Sequence, residues 1–80
     1  VVREAVLVTA PTLAEEAVSM LERAGLAVAF TGAYPSEGAL RAALAEHRPV
    51  ALLHRQGAIN AAVLDAGLPR LRVVARHGAG

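Results

Sequence analysis

A parallel-sheet α/β fold is predicted by three features of this 80-residue sequence. Four short apolar runs are continuous rather than alternating. Stretches of helical periodicity separate them. The runs also recur at a near-constant interval, starting near residues 5, 27, 50 and 72, which are 22, 23 and 22 residues apart. Strands buried on both faces read as continuous apolar segments. The interval leaves room for one helix and two short loops per unit, giving βαβαβαβ. Right-handed crossovers turn that order into a parallel sheet with helices on both faces. A doubly wound strand order of 2-1-3-4 is expected.

Each element has its own signal. The first strand is Ala5-Val-Leu-Val-Thr9. Thr12 and Glu15 are spaced as a capping box for the first helix, whose apolar side is Ala14, Ala17, Val18, Leu21 and Ala24. Gly25 closes that helix. Ala27-Val-Ala-Phe-Thr31 is the second strand. Ser36 is the expected N-cap of a second helix that buries Leu40, Ala43 and Leu44 and must stop before Pro49. Val50-Ala-Leu-Leu53 is the third strand. Asn60 caps a third, short helix, with Ile59 and Leu64 spaced as a hydrophobic staple. Gly67 and Pro69 end it, and Val73-Val-Ala75 is the fourth strand. No interior linker, repeat or low-complexity stretch divides residues 1–80, so one domain is expected. The fourth strand has no helix after it in this sequence. An apolar strand left bare is an aggregation hazard, so further chain or a partner is expected to cover it. The sequence reads as the front part of a larger protein.

Composition narrows the function. The chain is 55% hydrophobic and 2% aromatic, so its core must be built from Ala, Val and Leu. An 80-residue chain buries only about 60–65% of its unfolded surface, which makes stability marginal. Net charge is +1, and all eight basic residues are arginine. Balanced charge with a single Phe and a single Tyr argues against nucleic-acid binding. Without cysteine there are no disulfides and no thiolate metal sites. No apolar run nears the roughly 20 residues of a membrane helix, and no signal peptide is evident. A cytoplasmic protein with no membrane contact is expected.

Open parallel sheets bind ligands beyond the carboxyl ends of their strands. That edge should carry Thr9, Ala10 and Pro11, then Thr31 to Tyr34, then His54, Arg55, Gln56 and Gly57, and finally Arg76, His77, Gly78, Ala79 and Gly80. Two arginines and two histidines fall there, with no carboxylate expected among them. A cationic edge beside glycine-rich backbone donors suits a carboxylate or phosphate. Arg3, Arg23, Arg41 and Arg48 are expected on solvated faces with Glu4, Glu22, Glu37 and Glu46, and His47 at the negative end of the second helix. The only aspartate, Asp65, lies in the third helix, so the acidic magnesium cluster of a phospho-receiver is missing. There is no Walker loop and no complete dinucleotide fingerprint. Neither Ser19 nor Ser36 has triad partners in view.

Two stretches carry a more specific pattern. Leu52-Leu-His-Arg-Gln-Gly-Ala-Ile-Asn-Ala-Ala-Val-Leu-Asp65 is followed by Leu68-Pro-Arg-Leu-Arg-Val-Val-Ala-Arg-His-Gly-Ala-Gly80. Together they resemble the N-terminal half of the D-isomer-specific 2-hydroxyacid dehydrogenases, and most nearly the D-3-phosphoglycerate dehydrogenase branch, which serves serine biosynthesis. The resemblance implies a flavodoxin-like, three-layer substrate-binding domain, incomplete at its C-terminal end. The NAD-binding domain of such enzymes lies outside these residues. By position, the backbone N–H groups of Ala79 and Gly80, in a substrate-binding turn that begins at Gly78, would hold the carboxylate of a 2-hydroxy or 2-keto acid. Arg55 would reach its distal group, Gln56 and Arg76 would lie near the substrate, and Ala79 would face the nicotinamide of NAD. Many relatives have Ser or Thr where this chain has Gln56. The catalytic Arg, Glu and His of the family lie downstream, so none of these residues is assigned a catalytic role and the segment is expected not to turn over alone. The parent enzyme would be a homodimer or homotetramer. The competing reading is a free-standing flavodoxin-like module that binds an anion or a protein.

Overall fold

A computed structural model describes residues 4–76. Four strands, β1 (Ala5–Val8), β2 (Ala27–Phe30), β3 (Ala51–His54) and β4 (Val73–Arg76), alternate with three helices, α1 (Glu15–Arg23), α2 (Glu37–His47) and α3 (Ala61–Gly67). All strand pairings are parallel, and the sheet order is β2-β1-β3-β4. The architecture is the expected flavodoxin-like α/β arrangement.

Handedness decides which face each helix covers. The chain steps from β1 outward to β2 through α1, then back across the sheet to β3 and β4 through α2 and α3. Right-handed crossovers in opposite directions put α1 on one face and α2 with α3 on the other. The packing agrees. Leu7 and Leu52 occupy one register row and are buried with Leu40 and Leu44 of α2, Val63 of α3, and Leu71. Val6 and Val8 alternate to the α1 face and are buried there. The two layers are unequal. The α2 and α3 side carries that buried cluster, whereas no residue of α1 is fully buried. The expected α1 stripe is half-covered at Ala17, Val18 and Leu21 and exposed at Ala14 and Ala24.

Two of the three expected N-caps form. Ser36 Oγ accepts from the Ala39 amide at 3.1 Å. Asn60 Oδ1 accepts from the Val63 amide at 2.9 Å, and Ile59 and Leu64 of the proposed staple both pack against the core. The Thr12–Glu15 capping box does not form. The helix starts two residues later than that box requires, with Ala14 at the N-cap and no side-chain cap. The Thr12 carbonyl instead accepts a hydrogen bond from Arg55 Nη1 at 2.9 Å, which ties this loop to the end of β3. Gly25 follows α1 at φ 86°, the left-handed position that glycine tolerates without strain. Asn60→Ala should destabilise the domain by about 1 kcal/mol, measured by denaturant titration, because the cap bond is lost. The same change also releases Glu37 Oε1, which accepts from Asn60 Nδ2 at 2.6 Å.

β4 is the least covered strand, exposed at all four positions. Val73 and Val74 point to opposite faces, yet they are 56% and 47% exposed. No helix is long and apolar enough to cross a membrane among the described residues.

Candidate functional site at the carboxyl edge

The strand ends meet at one rim, and Thr9 fastens it. Its side chain is fully buried. Thr9 Oγ1 accepts from the Arg55 amide at 2.8 Å and from the Gln56 amide at 3.2 Å. The Gln56 amide also donates to the Thr9 carbonyl at 3.1 Å, and the Thr9 amide to the Leu53 carbonyl at 3.1 Å. The ladder between β1 and β3 therefore runs past the last residues of both strands and sets the backbone of Arg55 and Gln56. A buried threonine after an apolar strand is a weak sequence signal, and Thr9 was legible there only as a residue on the edge.

Arg55 and Arg76 both stand on this rim, both exposed. They leave the sheet differently. Arg76 is in register with His54, and so shares the α2 and α3 face with it. Arg55, one residue further on, leans to the α1 side, where its Nη1 bonds the Thr12 carbonyl. One guanidinium N–H is used there, leaving the other donors for a ligand. A ligand gripped by both arginines would lie across the end of the sheet and not on either face. His54 Nε2 lies 2.8 Å from the Gly57 carbonyl, which closes the β3–α3 turn. That turn must pass close to the β2–α2 loop. Gly57 has φ 81°, and a Cβ there would sit 2.9 Å from the Pro35 carbonyl oxygen. Gln56 joins the same two loops, its Oε1 accepting from the Tyr34 amide at 2.9 Å.

The rim is not as free of carboxylates as its loop residues suggest. In a parallel α/β fold the helices start at the edge where the strands end. Glu15, Glu16 and Glu37 are therefore first-turn residues at this rim. Loop-by-loop reading missed them because they belong to helices. Glu37 is engaged by Asn60, and among the described residues no carboxylate pairs with Arg55 or Arg76. Arg23, Arg41 and Arg48 and the glutamates assigned to solvated faces are exposed, and the sole salt-bridge-distance contact among the described residues is between His47 Nε2 and the neighbouring Glu46 carboxylate at 3.4 Å. Gly78, Ala79 and Gly80 lie outside the described residues, as does His77.

The rim is an open shelf. A surface depression is found instead along α1, between Leu13, Val18 and Met20 with Glu16 and Arg23 beside them. Neither Arg55 nor Arg76 lines it. No metal-binding group of His, Cys, Asp and Glu exists among the described residues.

Compared with known proteins, the chain finds no match among family models, curated proteins or solved structures. The 2-hydroxyacid dehydrogenase resemblance rests on the phrases within residues 52–80 themselves.

Proposed function

We propose that this chain is the substrate-binding part of an NAD-dependent D-2-hydroxyacid dehydrogenase, similar to the phosphoglycerate dehydrogenase branch, and that its rim receives the carboxylate of a 2-hydroxy or 2-keto acid. The observation that carries the reading is the pair of exposed arginines, Arg55 and Arg76, at adjacent strand ends with no carboxylate paired to either among the described residues. Charge-assisted bonds from a guanidinium fork favour a carboxylate over a neutral oxygen acceptor. The backbone donors of Ala79 and Gly80, in the turn that begins at Gly78, would complete the grip, and Gln56 would border it. Ala79 would face NAD, which a domain outside these residues would hold. On this reading these residues bind and orient the acid, and the chemistry belongs to the partner domain.

The test is a titration of the chain with pyruvate, D-lactate and the neutral amide pyruvamide, followed by amide NMR shifts. The two acids should perturb Arg55, Gln56 and Arg76, and pyruvamide should not. An equal response to the amide, or acid-induced shifts confined to other surfaces, overturns the reading.

A further inference from the structure

The chain has only two aromatic residues, Phe30 and Tyr34, and neither is used to fill the core. Both stand at the carboxyl end of β2, on the same rim as Arg55. Phe30, the last residue of that strand, is 38% exposed, and Tyr34 is 76% exposed. Aromatic rings are the largest apolar payload a small domain can bury. A protein this short leaves stability unclaimed by placing Tyr34 in solvent and covering Phe30 only in part.

Tyr34 is also held in an uncommon backbone conformation. Its φ is 43°, in the left-handed region, where a bulky residue is an outlier. The neighbourhood enforces it. Gln56 Oε1 accepts from the Tyr34 amide, and the buried Pro35 that follows packs against Gly57, with no room for a Cβ between them. Glycine or asparagine would sit there at less cost. Strain of this kind persists where the surroundings over-determine it, and it concentrates at ligand-binding segments. Here it presents a ring to solvent at the site edge.

Gln56 connects this aromatic corner to the cationic one. It follows Arg55 directly, and its side chain reaches over the end of β1 to the β2–α2 loop. With its oxygen taken by the Tyr34 amide, its NH₂ donors remain for a ligand. The ends of β2 and β3 are two strand spacings apart, about 10 Å before the reach of the side chains is subtracted.

We infer that the rim takes an organic acid with a planar or apolar tail, whose carboxylate meets Arg55 and whose tail lies against Tyr34. Tyr34 is then a specificity-determining residue, and Gln56 positions it. This inference rests on the acid-binding reading above and goes on to name the substrate class. Matched titrations with phenylpyruvate and pyruvate test it, on the unaltered chain and on Tyr34→Leu, Tyr34→Gly and Arg55→Ala. Phenylpyruvate should bind at least about fivefold tighter than pyruvate, a typical gain from one aromatic contact. Tyr34→Leu should cut that preference, and Tyr34→Gly should abolish it while raising the melting temperature, since glycine relaxes the strained φ. Arg55→Ala should weaken both acids alike. Equal affinity for the two acids, unchanged by Tyr34→Leu but lost in Arg55→Ala, overturns the aromatic subsite and leaves the acid site standing. Binding of neither acid overturns both.

Discussion

Arg55→Ala should weaken binding of the 2-keto acid by about 10- to 150-fold while leaving the fold nearly as stable as before. The first figure corresponds to about 1.5–3 kcal/mol, the usual worth of a hydrogen bond to a charged group. The second follows from where the side chain lies. Arg55 is exposed, and its one internal partner is the Thr12 carbonyl. A solvent-exposed bond of that kind contributes about 0.5–1 kcal/mol, and water replaces it on the carbonyl. Arg55→Lys separates the charge from the fork. Lysine keeps the cation but cannot span a carboxylate and the Thr12 carbonyl with one rigid group. It should recover only part of the affinity. In a complete dehydrogenase the same loss would be read as a rise in KM with kcat little changed, if Arg55 grips the carboxylate equally in the ground state and the transition state. Unchanged affinity in Arg55→Ala would mean that the arginine serves only to tie the β3 end to the β1–α1 loop.

The difference between what was legible in the sequence and what was not has a physical pattern. Long-range architecture was legible because it rests on apolar periodicity and chain length. The four strands, their order and the two faces follow from continuous apolar runs at a steady interval, and Ser36 and Asn60 read correctly because a cap is a local event between residues three apart. Thr12 did not, although its spacing to Glu15 was equally good. A cap competes with whatever else can bond the same loop, and there the competitor, Arg55, is 43 residues away in sequence. The site shows the same division. That Arg55 and Arg76 share one edge follows from topology. That they leave it toward different faces depends on register, which a one-residue step reverses. The glutamates at the helix starts were missed for a related reason, and Tyr34 was placed on the edge without its backbone conformation. Reading the edge strand by strand omits the helices that begin on it, and no composition signal announces a left-handed tyrosine.

Thr9→Val tests the junction on which both halves of the rim depend. Valine keeps the volume and the methyl group and removes only the hydroxyl. The Arg55 amide then loses its bond to Thr9 Oγ1, and the Gln56 amide keeps only its bond to the Thr9 carbonyl. Stranding a buried donor costs about 1–3 kcal/mol, so a total near 2–3 kcal/mol is expected. An 80-residue domain has roughly 4–12 kcal/mol of stability altogether, so this is a large fraction. In thermal unfolding it corresponds to a fall of about 10–20 °C. Thr9→Ser gives the opposite bias. It keeps the acceptor and deletes a methyl worth about 1 kcal/mol in a buried site. If the hydroxyl fastens the rim, valine is the more damaging of the two, although it is the more hydrophobic residue. If Thr9 merely fills space between the strands, serine is worse, since packing alone would favour the larger apolar side chain. The ligand should register the same order. Arg55 and Gln56 both take their backbone positions from Thr9, so Thr9→Val should loosen acid binding and the aromatic preference together, which neither Arg55→Ala nor Tyr34→Leu can do alone.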